Sequence, residues 1–289
     1  MKILVTGARG QLGQTLLANA PPGMSIVGVD LPALDITEQD QVFDLIGQEK
    51  PDVIVNAAAY TAVDLAESNE EQADKVNVEG PHILAVAARD SGARLLHLST
   101  DFVFDGHSTE PYGPAAGTSP VSAYGRSKLK GEQSVREVLP ERSIILRTAW
   151  MYSEYGGNFV STMLRLFRER DEITVVDDQV GSPTWARSVA SAIFAFVGKP
   201  ELSGTYHWTD AGQTSWYEFA CAIQEEALEL GQIEKTIGIR PISSADYETA
   251  AARPAFSVLD CSSTANDLGL EQTPWRQNLR AMLEGSAAR

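Results

Sequence analysis

The chain is poor in cysteine, in positive charge and in long apolar runs, and each shortage removes a class of protein. Its two cysteines, Cys221 and Cys261, make no metal-type or redox-type pair. Lys and Arg number 23 against 39 Asp and Glu, for a net charge of −16. Nucleic-acid binding calls for a basic footprint, so no nucleic-acid partner is expected. An anionic ligand must instead be held by local groups, helix N-termini and single arginines, against the overall field. No apolar run reaches membrane-spanning length, so no membrane partner is expected either. No signal peptide is expected ahead of the first strand, because Lys2 leads directly into it. These shortages together predict a cytoplasmic protein with reduced thiols.

What is present is ordinary globular composition, 43% hydrophobic and 21% charged over 289 residues. That length can bury one large core or two smaller ones. No repeat, linker or low-complexity segment divides it.

The most informative stretch is the first. The apolar strand Lys2–Thr6 runs into Gly7, Gly10 and Gly13, spaced G-x-x-G-x-x-G, and Leu12, Leu16 and Leu17 follow at helical spacing. A dinucleotide needs this arrangement. Gly7 allows a tight turn, Gly10 admits a pyrophosphate to the backbone, and Gly13 lets the helix pack on the strand. The helix N-terminus then offers free N–H groups to the phosphates. Asp30 closes the next strand, near the spacing expected for a ribose-binding carboxylate.

Strand patterns at Lys2–Thr6, Ser25–Asp30, Asp52–Asn56, Arg94–Ser99 and Ser143–Arg147 alternate with helical patterns. The latter lie near Gln11–Asn19, Glu38–Gln48, Glu70–Ser91 and Ala123–Val138. This alternation predicts an α/β fold, a doubly wound, Rossmann-type parallel sheet whose ligands bind at the carboxyl ends of the strands. The second half is less regular. Turn-rich stretches at Ser153–Asn158, Gln179–Pro183 and Thr209–Thr214 separate helical patterns near Phe159–Glu169, Ala186–Phe196, Trp216–Leu230 and Pro274–Leu283. The expected division is a dinucleotide-binding domain over 1–150, joined by parts of 183–208, and a smaller C-terminal α/β substrate domain over most of 151–289. Trp185, Trp208, Trp216, Tyr217 and Phe219 are expected to form a small second core there.

The residues after each strand carry the chemistry. After the third come Asn56, Ala57, Ala58, Ala59, Tyr60 and Thr61, small enough in part for a cofactor to lie against the sheet edge. After the fourth come Ser99, Thr100 and Asp101. Tyr124 and Lys128 then stand at i and i+4 on a predicted helix, hence on one face. A nearby ammonium is expected to lower the tyrosine pKa and let the pair exchange a proton with a carbonyl oxygen. The fifth strand delivers Arg147 and Trp150 to the same edge.

Together the glycine pattern, Asn56-Ala57-Ala58-Ala59, Ser99-Thr100-Asp101 and Tyr124-x-x-x-Lys128 resemble the extended short-chain dehydrogenase/reductase superfamily. Within it the chain is similar to the dTDP-4-dehydrorhamnose reductase family. The matching stretches are Pro51–Asp64 with Ala66-Glu67-Ser68, Ser99–Phe104, Arg147–Trp150, Asp178–Thr184 and Arg253-Pro254, and the likeness runs essentially the whole length.

The resemblance implies a role for each position. Tyr124 would donate a proton to the substrate ketone. Lys128 would bind the nicotinamide ribose and tune Tyr124. Thr100 would hydrogen-bond the reacting oxygen, with Asp101 on the sugar and Trp150 against the deoxyhexose. Gly10, Gln11 and Leu12 would face the pyrophosphate, Asp30 the adenosine ribose, and Asp35 and Ile36 the adenine. Ala57 to Ala59 and Tyr60 to Ala62 would line the cofactor. The implied reaction is hydride transfer from NADPH or NADH to C4 of dTDP-4-dehydro-β-L-rhamnose, giving dTDP-L-rhamnose, a cell-surface polysaccharide precursor. The working unit would be a monomer or homodimer. Asp30 suits the free ribose of NADH and Arg9 the 2′-phosphate of NADPH, so both are expected to serve.

Some members hold Mg²⁺ through acidic residues, but here Gln14 and Thr15 follow the glycine loop and Trp185-Ala186-Arg187-Ser188 follow Pro183-Thr184. No metal is expected. Two rival functions stand beside the reductase. A nucleotide-sugar 4,6-dehydratase needs a second acid beside Asp101, where Phe102 stands, which weighs less against a 4-epimerase. Another related 4-ketoreductase remains open. A non-catalytic subunit resembling the regulatory subunit of methionine adenosyltransferase would not need the intact Tyr124 and Lys128.

Overall fold

The computed structural model describes residues 1–287. In chain order its first half holds β1 (Lys2–Thr6), α1 (Gln11–Ala18), β2 (Ser25–Val29), α2 (Gln39–Glu49), β3 (Val53–Asn56), α3 (Val63–Ala66), α4 (Glu70–Asp74), α5 (Gly80–Ser91), β4 (Arg94–Thr100), α6 (Ala123–Val138) and β5 (Ser143–Thr148). The second half adds β6 (Met151–Tyr152), α7 (Phe159–Glu169), β7 (Glu172–Val176), β8 (Val180–Gly181), β9 (Thr184–Trp185), α8 (Ala186–Val197), β10 (Gly204–His207), β11 (Thr214–Ser215), α9 (Trp216–Glu229), β12 (Gly238–Ile242), α10 (Ser262–Leu268) and α11 (Trp275–Ala287).

Six strands form one parallel sheet in the order β10-β5-β4-β3-β1-β2. Strand alternation sorts its side chains. Ile3, Val5, Val55 and Leu146 face Leu12 and Leu16 of α1 and Val189 and Ile193 of α8. Leu4, Ile54, Leu95 and Ile145 face Val42 and Ile46 of α2, Leu84 and Ala88 of α5, and Val135 of α6. Both faces are thus covered by helices. Full burial of a Leu or Ile side chain stabilises by roughly 1.5–3 kcal/mol, so this double burial fixes the sheet as the rigid frame. From β1 the chain runs outward to β2, then returns to the other side of β1 as β3. That reversal opens a crevice at the carboxyl ends of β1 and β3.

A second core gathers Phe167, Phe219, Ile223, Leu279 and Leu283 from α7, α9 and α11. Side chains start two of the helices there. Asn158 and Ser161 form a reciprocal cap on α7, and Ser215 and Glu218 do so on α9.

The structure departs from the sequence reading at three places. The helical pattern over 70–91 is interrupted by a π-helical turn, Lys75–Glu79. Pro81 has no N–H for the carbonyl of Asn77 four residues back, and the turn widens there. The freed carbonyl points at α6, where a Cβ on Gly131 would lie 2.1 Å from it. Gln179–Pro183 is not only turn: Val180–Gly181 pairs antiparallel with Thr214–Ser215. Trp208 joins the main sheet's core rather than the second one.

Candidate active site

At the carboxyl ends of the central strands lies a cleft of about 880 Å³. Its walls hold Gly7, Arg9, Gly10, Gln11 and Leu12 from the first turn, and Asp30, Asp35 and Ile36 after β2. Ala57, Ala58, Ala59 and Thr61 follow β3, and Thr100, Asp101, Tyr124, Lys128 and Trp150 complete the set. Gly13, Tyr60 and Ala62 are not brought to this wall. Gly13 lies under the turn, where a Cβ would sit 2.2 Å from the Gly7 carbonyl. Tyr60 turns toward Ala66, Ala73, Ala123 and Tyr124, its backbone held at both ends by the Asn77 amide, at 2.9 and 3.0 Å.

The glycine turn fits a dinucleotide on its own geometry. Gly7 has φ +71°, and a Cβ there would strike the Ala58 backbone nitrogen at 2.6 Å. Gly10 opens α1 without a capping side chain, so the helix's first N–H groups are free for phosphate. The Asp30 carboxylate accepts the Arg9 and Leu31 N–H groups, each at 2.8 Å, and so fixes the turn beside the ribose position. Behind it Asn56, buried, accepts Thr6 Oγ1–H at 2.8 Å and the Ala58 N–H at 3.1 Å. Lys75, from the π turn, adds a cation to the wall that sequence reasoning missed.

Thr100, Asp101, Tyr124 and Lys128 meet at the inner end. Thr100 Oγ1 donates to Asp101 Oδ1 at 3.0 Å and accepts the Phe102 N–H at 3.2 Å. Lys128 Nζ donates to the Leu98 carbonyl at 2.7 Å. Burial pushes the Tyr124 hydroxyl up to about 12, against a smaller lowering by Thr100 and with a further rise from the Asp101 charge. The expected lowering is therefore overturned: desolvation sets the direction, and the Lys128 ammonium is engaged with the Leu98 carbonyl. Burial also pulls Lys128 down to about 8, with Glu132 opposing. Asp101 is pushed up to about 6 by burial, against the Ser257 and Thr100 hydroxyls.

Arg147 is not at the cleft. It is 2% exposed and paired with Glu132, which is fully buried. Arg147 Nε donates to Oε1 at 2.8 Å and Nη2 to Oε2 at 2.6 Å, and Ser99 Oγ–H donates to Oε1 at 2.5 Å. Glu132 follows Lys128 by one helical turn, so this pair braces the catalytic face of α6 from beneath. No local signal in the sequence marks Glu132.

Trp150 has φ +44°, a conformation that bulky residues seldom adopt. Its ring stacks on Trp216 with centroids 3.5 Å apart and an 8° tilt. Gly181 makes the room, since a Cβ there would lie 2.5 Å from the Trp150 ring. Trp216 packs against the second core, as expected, and also lines the cleft beside Trp150. The pair also borders a second cavity of about 330 Å³, walled by Phe102, Phe159, Met163, Gln179, Arg253 and Ser257 among others.

The residues present do not suit Mg²⁺, which prefers oxygen ligands including carboxylates. Gln14 Nε2 donates to the Arg9 carbonyl at 2.7 Å, Thr15 Oγ1 donates to that of Gln11 at 2.8 Å, and the Arg187 guanidinium sits over the Trp185 ring. Among the described residues no three His, Cys, Asp or Glu side chains are grouped to hold a metal. EDTA is accordingly expected to leave turnover unchanged. An activity loss restored by Mg²⁺ would contradict this.

A doubly wound sheet with a glycine turn at its switch point and a Thr-Tyr-Lys set, Thr100 and Lys128 buried and Tyr124 half-buried, defines a Rossmann-type, nicotinamide-dependent enzyme of the extended short-chain dehydrogenase/reductase class. The chain belongs to the family described as the RmlD substrate binding domain, whose model matches residues 1–287. It is 42% identical to the dTDP-4-dehydrorhamnose reductase of Aggregatibacter actinomycetemcomitans, over 98% of this chain and 99% of that one. It is 41% identical to the dTDP-4-keto-6-deoxy-D-glucose reductase of Streptomyces niveus, over 89% and 87%. A crystal structure of dTDP-4-dehydrorhamnose reductase from Bacillus anthracis in complex with NADP superposes with a TM-score of 0.92. That protein is 37% identical, with 98% of this chain and 99% of that chain covered.

Proposed function

We infer that the chain reduces the C4 ketone of dTDP-4-dehydro-β-L-rhamnose to the alcohol of dTDP-L-rhamnose. The observation that carries this reading is the Thr100–Tyr124–Lys128 set at the inner end of a cleft that begins at the glycine turn, with Trp150 and Trp216 beside it. A reduced nicotinamide bound along the cleft supplies a hydride to C4. Tyr124 donates its phenolic proton to the C4 oxygen as the carbonyl becomes an alcohol, and Thr100 orients that oxygen through its hydroxyl. Lys128, held by the Leu98 carbonyl, keeps a positive charge near the forming tyrosinate. Trp150 offers an apolar face to the deoxyhexose, and the second cavity beyond it gives space for the rest of the sugar nucleotide. Asp30 and Arg9 serve the adenosine ribose of NADH or NADPH. The dinucleotide half is taken as 1–150 with the segment 183–208, since α8 packs on α1 and β10 extends the sheet. The working unit is a monomer or a homodimer.

NADPH carrying deuterium at the transferable position tests the reaction. The product should be dTDP-L-rhamnose with the label at C4. Label at any other carbon, or none, would reject this chemistry. A second reading, reduction of a related dTDP-4-keto-6-deoxysugar, is favoured by the Streptomyces niveus likeness, and the same experiment with that sugar separates the two.

Cofactor choice gives a further expectation. Arg9→Ala should weaken NADPH much more than NADH, because only NADPH carries a 2′-phosphate. The two dissociation constants check it, and equal effects would place Arg9 away from the ribose.

A further inference from the structure

One side chain ties the glycine turn to the second half of the molecule. Gln11, the first residue of α1, accepts the Ser153 hydroxyl at 3.0 Å and the Asn158 Nδ2–H at 3.1 Å on its Oε1. These partners lie 142 and 147 residues away in sequence. Neither is isolated. Asn158 Nδ2 also donates to the Ser153 carbonyl at 2.8 Å, and Asn158 Oδ1 accepts the Ser161 N–H at 3.1 Å to cap α7. The loop between them presents Gly156 and Gly157 to the large cleft. The helix it starts presents Phe159, Thr162, Met163 and Leu166 to the second cavity. A single amide thus stands between the turn that faces a cofactor diphosphate and the helix that walls the sugar-nucleotide side.

We propose that Gln11, Ser153 and Asn158 form a latch that couples cofactor binding to sugar-nucleotide binding. This rests on the reductase reading above. The three act as positioning residues. A diphosphate held on the glycine turn fixes Gln11, Gln11 fixes the 153–158 loop, and the loop fixes the first turn of α7. By linkage the sugar nucleotide must tighten the cofactor by the same factor.

Titration calorimetry of dTDP-L-rhamnose, with the protein alone and saturated with NADP⁺, measures the coupling. The ratio of the two dissociation constants should be about fivefold or more in the unmodified chain. Asn158→Ser keeps a good neutral N-cap for α7 but removes the amide donor to Gln11. Its ratio should fall close to one, while each ligand alone binds within about twofold of the unmodified affinity. Ser153→Ala should lower the ratio too. The double variant Asn158→Ser with Gln11→Leu should lower it no further, since one latch is broken once. Should Asn158→Ser melt early, Ser153→Ala carries the test. A ratio of one in the unmodified chain, or an unchanged ratio in folded variants, overturns the latch and leaves the reductase reading intact. Failure of both ligands to bind the unmodified chain would overturn that reading and the latch with it.

Discussion

Tyr124→Phe is expected to lose a factor on the order of 10²–10⁴ in turnover while still binding the nicotinamide cofactor. The substitution removes one hydroxyl and almost no volume. The ring keeps its edge contact with Phe102, 5.7 Å between centroids, so α6 has no reason to move. What disappears is the proposed proton donor to the C4 oxygen. Asp101, beside Thr100, is a carboxyl that burial raises only to about 6. It is largely ionised at neutral pH and does not replace a phenol held at about 12. Single-turnover kinetics separate chemistry from release, and a variant with full activity would assign the proton to another group.

Glu132→Gln should destabilise the fold by about 3–5 kcal/mol, the usual cost of removing one partner from a buried ion pair. The Glu132 carboxylate is fully buried and holds Nε and Nη2 of a buried Arg147 as well as the Ser99 hydroxyl. The amide cannot neutralise the guanidinium, and Lys128, one helical turn away, loses its opposing charge. In a domain of this size the melting temperature should fall on the order of 10 °C. Adding Arg147→Met should recover much of the loss, because the guanidinium stranded without its carboxylate is then gone. A shift of less than about a degree in Glu132→Gln would mean that water reaches the pair.

The sheet and the glycine turn were legible because their signals are local. Strand and helix periods alternate along 2–148, and the residues after each strand end at one edge whatever the second half does. Thr100, Tyr124 and Lys128 follow from that geometry, and the structure puts them together on the cleft wall. Arg147 shows where such reasoning stops. Its place at the end of β5 suggested the cleft, yet alternation turns it inward to Glu132, whose charge gave no sign of burial. The cross-molecule contacts were equally silent. Nothing near Gln11 points to Ser153 or Asn158, and nothing in α9 says that Trp216, at the rim of the second core, stacks on Trp150. The direction of the Tyr124 shift was misjudged for a related reason. Helical spacing placed Lys128 nearby, but it carries no information on desolvation, and desolvation dominates.

The most direct test is NADPH consumption by the purified protein, followed before and after addition of dTDP-4-dehydro-β-L-rhamnose. Oxidation should begin only on addition of the sugar nucleotide, should match the ketone mole for mole, and should slow by a factor on the order of 10²–10⁴ in Tyr124→Phe. Bound NADPH that stays reduced in the presence of this ketone would contradict the account and favour a binding subunit over an enzyme.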